Sequence, residues 1–220
     1  MGEEGVEYKV HETLLSERSE FFASASKAEW KEGQEHRVPL PDDTPPIVDL
    51  YVQWIYSGKI LSRKTLVEEE AADEQECKNE SAFDLLIGGF VFGEKIQDGN
   101  FKDAVLDALV HTVTAPNEKS VCWYPTKSWV DQAYMGTPEG SPIRRLLVDI
   151  YTYHGKADWL DGQKNVEFLA DLAGCLLTKR RNEQQQQQQE PPGPDVSGCK
   201  YHHHGEEGGC YSDRIPGHMF

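Results

Sequence analysis

The 220-residue chain has little with which to cross a membrane. Its longest apolar run, residues 85–92 (LLIGGFVF), includes two glycines and falls far short of the ~20 residues that a spanning helix needs. Positive charge is also scarce. Only 22 Lys and Arg stand against 38 Asp and Glu, and the resulting net charge of -16 repels a phosphate backbone, so direct nucleic-acid binding is not expected. Cysteines are few, odd in number and scattered: Cys77, Cys122, Cys175, Cys199 and Cys210 do not form a disulfide framework and suit a reducing compartment, cytoplasm or nucleus. In such a compartment the sequon at Asn79 carries no glycan. The first residues, MGEEGVEY, lack a basic n-region and an apolar h-region, and Val6 stands where a myristoylation signal wants Ser or Thr. Phosphate-cradling and catalytic signatures are missing too: there is no P-loop, GxGxxG, HExxH or GxSxG. Asp42 and Asp43 are adjacent in a turn rather than facing one another, which suits capping and not acid–base catalysis. The reading is therefore non-enzymatic.

What the chain does have is periodicity. Val6, Tyr8 and Val10 alternate with Glu7 and Lys9, which predicts a half-buried strand, and Leu14, Leu15, Phe21 and Phe22 predict a helix over residues 11–22. After a polar stretch, Arg37, Val38, Pro39 and Leu40 can form a second strand, confined by Pro39 to an edge or a strand end. Asp43 or Thr44 caps a helix that carries Ile47, Val48, Tyr51, Val52 and Ile55 and ends at Gly58. Residues 67–80 hold seven acids and one lysine and read as a solvated loop or frayed helix without chemistry. A helix through Phe83, Leu86, Ile87, Phe90 and Val91 and a second from Asn100 through Phe101, Val105, Leu106 and Leu109 form a hairpin around Asp98 and Gly99. A third starts at Ser141 and Pro142 and presents Ile143, Leu146, Leu147, Ile150 and Tyr151 on one face. The last, residues 166–179, is expected to bury Phe168, Leu169, Leu172 and Leu176. Past Arg181 the glutamine- and proline-rich composition cannot supply a core. The basic cluster Lys179, Arg180 and Arg181 complements a helix C-terminus more simply than it forms an import signal.

The segments VHETLLSERSEFF, RVPLPDD and LYVQWIYSGKI resemble the BTB/POZ domain, and residues 83–110 are similar to its closing helical hairpin. TPEGSPIRRLLVDIYTYHG, residues 137–155, resembles the extension of filamentous-fungal BTB proteins. The resemblance implies an α+β fold, a small mixed sheet packed by helical hairpins, used for dimerisation and for gripping other proteins, with no enzymatic activity. It divides the chain into a BTB/POZ domain at residues 1–112, a connecting loop at 113–140, a helical extension at 141–181 and a low-complexity disordered tail at 182–220. Only one strand fits before His11, so the domain's first strand is expected to be missing, leaving an unpaired edge. His11 falls where BTB sequences usually carry histidine and reads as a structural residue satisfied by backbone. Gly88 and Gly89 inside a helix cost about 1 kcal/mol each relative to alanine unless close packing requires them.

Two candidate sites follow. Trp30 and Glu32 resemble the apolar-x-Glu motif by which BTB adaptors dock a cullin, an apolar anchor beside a carboxylate; the plainer reading is a tryptophan that folds back on its own domain. Near the C-terminus, Cys199, His202, His204 and Cys210, with His203 able to replace a neighbour, are ligands of the kind zinc takes tetrahedrally. Against a zinc site, the spacing matches no common finger and the surroundings are Gly-rich, which favours disorder. The functional expectation is a protein-interaction module, either a homodimer or an adaptor to a cullin ubiquitin ligase. The alternative is a transcription-associated regulator whose BTB part oligomerises and whose Cys/His tail binds metal.

Overall fold

The computed structural model describes residues 5–60, 74–114, 125–184, 199–202 and 209–211. Among these residues every regular element is a helix: α1 (Glu12–Arg18), α2 (Glu20–Ala25), α3 (Lys31–Glu35), α4 (Pro45–Ser57), α5 (Glu74–Ile96), α6 (Gly99–Thr114), α7 (Lys127–Gly136), α8 (Pro142–His154) and α9 (Val166–Gln184), with a 3-10 turn at Ala157–Leu160. The expected α+β fold with a small mixed sheet is thus overturned, since no described residue is in a strand. Residues 5–10 and 37–40 are extended, as their alternation predicts, but no backbone ladder joins them. Side chains hold them instead. Arg37 Nη2 reaches Glu7 Oε1 at 3.3 Å, and Tyr8 donates to the Pro45 carbonyl at 3.2 Å. A period of two marks an extended chain with one covered face, and it does not choose what covers that face. Pro39 removes one ladder donor as well.

The predicted helix over residues 11–22 is broken in two at Ser19, whose backbone is extended (φ -126°, ψ 120°). Ser19 is buried; its hydroxyl accepts from Phe22 N–H at 3.1 Å, starting α2, and donates to the Ile96 carbonyl at the end of α5 at 2.5 Å. His11 is satisfied by a side chain rather than by backbone, since its Nδ1 lies 2.7 Å from the Tyr56 hydroxyl. At α4 neither Asp43 nor Thr44 caps as expected: Thr44 makes no side-chain cap bond, and Asp43 is engaged by Lys95 Nζ at 2.6 Å. The expected stop is present, with Gly58 at φ 68°.

The core is centred on α5, which packs against α2, α4, α6 and α7. Tyr51 of α4 is the aromatic hub, with ring centroids 4.9 Å from Phe101, 5.5 Å from Phe92 and 6.2 Å from Phe22. Trp54, one turn on, is fully buried beneath the Arg18 guanidinium, which lies 4.7 Å from its ring. Gly88 and Gly89 make this contact possible: a Cβ would come within 2.7 Å of Ile47 Cδ1 at Gly88 and within 2.9 Å of Leu50 Cδ2 at Gly89. Close approach of α4 to α5 thus offsets their poor helix propensity. Asp98 caps α6 by accepting from Phe101 N–H at 2.9 Å, so the helix starts one residue before the expected Asn100.

Inside the segment expected to be a connecting loop, α7 packs on α5, with Trp129 stacked 4.8 Å from Phe83 and its indole N–H donating to Asp84. It also packs on α8 and α9. Of the residues expected to face inward from α9, Phe168 and Leu172 are buried and Leu169 is half-buried, whereas Leu176 is exposed, as is Leu177. The helix runs three residues beyond Arg181. Part of the tail expected to be disordered packs on the helices as well: Tyr201 and Tyr211 are buried against the same core. No helix among the described residues is long and apolar enough to cross a membrane. Residues 67–73 of the acidic run lie outside the described residues, while Glu74–Ile96 is one continuous helix.

Candidate functional site

Trp30 and Glu32 lie at the start of α3, the short helix in the polar stretch between α2 and residue 37. The peptide N–H of Trp30 bonds the Lys27 carbonyl at 3.0 Å, and its own carbonyl accepts from Gln34 at 3.1 Å. The indole does not fold back on its domain: it is 58% exposed. The Glu32 carbonyl accepts from Arg37 N–H at 3.0 Å and from His36 N–H, so the turn that closes α3 is tied to the residue presenting the carboxylate. An exposed tryptophan with an acid two residues on, held by a closed backbone turn, has the chemistry of an anchor and a hydrogen-bond acceptor for another protein.

Gly33 fixes this turn. A Cβ there would stand 2.2 Å from the Lys27 carbonyl oxygen and 2.9 Å from the Ser26 carbonyl carbon, both backbone atoms that no rotamer change can move. Gly33→Ala is expected to cost about 2 kcal/mol in urea denaturation, because α3 must lift off the preceding turn. An unchanged unfolding midpoint would show that α3 is not braced in this way.

The second candidate is built on α6 and α8. Cys199, His202 and Cys210 converge, each with one ligand atom within 4.8 Å of the others. Cys199 is exposed, His202 and Cys210 are half-buried, and neither Cys199 nor Cys210 is in a disulfide. His202 Nε2 lies 2.7 Å from Asp107 Oδ1 of α6, and its Nδ1 lies 3.5 Å from Cys210 Sγ. Burial alone would lower the imidazole pKa, but the Asp107 carboxylate and, further off, Asp103 raise it to about 9. Asp107 Oδ2 accepts from the Tyr211 hydroxyl at 2.5 Å. On α8, Asp149 Oδ2 accepts from the Tyr201 hydroxyl at 2.8 Å and pairs with Lys200 Nζ at 2.8 Å. His203 and His204 lie outside the described residues.

Of the residues expected from sequence, the structure brings together Cys199, His202 and Cys210 and places Trp30 and Glu32 at the start of α3. Asp107, Asp149, Tyr201 and Tyr211 were not foreseen. The tyrosines flank the two cysteines in sequence, an available signal, whereas the aspartates come from helices about ninety and fifty residues away and carry no local pattern.

Searches of curated proteins and of solved structures return no match to this chain. The family model of the BTB/POZ domain matches residues 1–74, a stretch that contains α1 to α4 together with Trp30 and Glu32, and the match points this part of the chain to protein–protein interaction.

Proposed function

We propose that the chain is a non-catalytic protein-interaction module of BTB type, of the filamentous-fungal kind, acting inside the cell as an adaptor that docks a cullin scaffold through Trp30 and Glu32. The observation that carries this reading is the solvent exposure of Trp30 beside Glu32 within the stretch similar to the BTB/POZ domain. An indole left in water at a braced turn gains its burial only when a partner covers it, and Trp is among the residues that most often dominate binding energy. A second copy of the chain is the other occupant this surface is expected to meet.

The test is affinity capture on the purified full chain with identification by mass spectrometry, repeated with Trp30→Ala combined with Glu32→Ala. The wild type is expected to recover a cullin, and the double variant to lose it by at least tenfold. The variant's stability is expected to stay within about 0.5 kcal/mol of wild type, since an exposed anchor contributes affinity and not core packing. Equal cullin capture by both proteins, or capture of chromatin factors in place of a cullin, would overturn the adaptor reading. The second of these results favours the transcription-associated alternative, and self-association abolished by the same double variant assigns the surface to a homodimer.

A further inference from the structure

We propose that Cys199, His202 and Cys210 bind one zinc ion, which fastens the C-terminal segment to α6 and α8. Two thiolates and an imidazole are a donor set that suits a thiophilic, tetrahedral divalent ion and does not suit magnesium or calcium. The spacing fits as well as the chemistry. With Zn–S near 2.3 Å and Zn–N near 2.0–2.1 Å, the sulfur–nitrogen edge of a tetrahedron is about 3.6 Å. Cys210 Sγ and His202 Nδ1 stand 3.5 Å apart, and the Cys199 sulfur lies within 4.8 Å of the Cys210 sulfur and of a His202 ring nitrogen.

The surroundings are those of a supported ligand. The His202 side chain is only 2% exposed, and Asp107 engages its Nε2, which leaves Nδ1 as the atom directed at the cysteines. A carboxylate on the far nitrogen of a histidine fixes the ring and raises its basicity toward a metal on the near one. Asp107 is itself held by Tyr211, the residue after Cys210, and Asp149 holds Lys200 and Tyr201, the residues after Cys199. Each cysteine is thus placed by its neighbour's bond to an aspartate on a helix. On binding, Cys199 and Cys210 release their thiol protons and His202 releases the proton on Nδ1, all to solvent, so that two thiolates and the Nδ1 lone pair face the metal. Three protein ligands leave the fourth corner of the tetrahedron to a water or a further donor.

The full chain, purified under reducing conditions and stripped with a chelator, is titrated with zinc against a chromophoric competitor and with cobalt(II) by visible absorption. The expected result is one equivalent per chain, the ligand-field bands of tetrahedral cobalt with thiolate ligands, and a rise in melting temperature with zinc. Cys199→Ser and Cys210→Ser are expected to lose the equivalent, whereas Cys175→Ser, a cysteine outside the cluster, keeps it. Asp107→Asn retains all three ligands and is expected to weaken zinc 10–100-fold. Absence of a stoichiometric equivalent in the wild type would overturn the proposal. Equal binding by the serine variants would do the same, as would a Cys199–Cys210 disulfide in a chain that takes up no zinc once reduced.

Discussion

Replacing Arg144 with alanine is expected to lower stability by about 3–5 kcal/mol, the largest effect of any single polar substitution in the helical body. The side chain is 7% exposed and four of its five N–H donors are used. Nε donates to Thr137 Oγ1 at 3.1 Å, Nη2 to the carbonyls of Tyr134 (2.6 Å) and Thr137, and Nη1 to Glu167 at 2.6 Å, while the guanidinium lies 4.5 Å from the Tyr134 ring. The two carbonyls are orphans at the C-terminal end of α7, where a cation is also favoured by the helix dipole. Alanine leaves them buried without a donor, at about 1–3 kcal/mol each. Equilibrium unfolding in urea measures the loss, and the thermal midpoint is expected to fall by about 10 °C. Arg144→Met keeps the volume and Arg144→Lys keeps the charge, yet neither supplies the fork, so both should fall with alanine. If methionine restores wild-type stability, packing and not the network holds this joint.

Asp98→Asn is expected to do the opposite at neutral pH. Asp98 is fully buried, caps α6 through Phe101 N–H and accepts the Tyr51 hydroxyl at 3.0 Å. Burial pushes its carboxyl up from 3.8 to about 6 despite these bonds, which favour the charged form. Between those values the native state binds more protons than the unfolded chain. The stability this group contributes is therefore fully present below about pH 4 and lost as pH rises through about 6, a difference of about 3 kcal/mol. Asparagine keeps the acceptor for Phe101 and donates to the Tyr51 oxygen without a charge to bury. Urea midpoints at pH 4 and pH 7.5 are expected to diverge, the variant exceeding wild type only at the higher pH. Parallel midpoints for the two proteins would show that Asp98 is not strained by its burial.

Much of the helical body was legible because its apolar residues recur at three and four. Phe83, Ile87 and Phe90, or Ile143, Leu147 and Ile150, can cover a core only as helices. Trp54 obeys the same rule, one turn after Leu50 and three residues after Tyr51, and it is buried where Val52, counted among the inward residues, is only half-buried. α7 was read as loop because its apolar face is short and is bounded by Pro125 and Gly136. The sheet failed for a different reason: Val6, Tyr8 and Val10 encode an extended chain but not its partner, and what holds the segment is the Pro45 carbonyl, which accepts from Tyr8, and the Arg37 side chain, which pairs with Glu7. At the C-terminus the ligand spacing was visible, while its anchors, Asp107 and Asp149, are assembled only by folding.

The way α4 is covered bears on where the chain can be cut. Tyr51 and Trp54 are roofed by Phe92 and Phe101, and Leu50 lies against Gly89, on α5 and α6 well past residue 74. The segment matched by the family model therefore does not carry its own lid. Excised at that boundary it would bare three large side chains, each worth about 1.5–3 kcal/mol of burial, and precipitate or recruit whatever apolar surface is at hand. Sequence homology and mechanical independence part company here: the smallest piece that can stand alone must reach the end of α6 at Thr114.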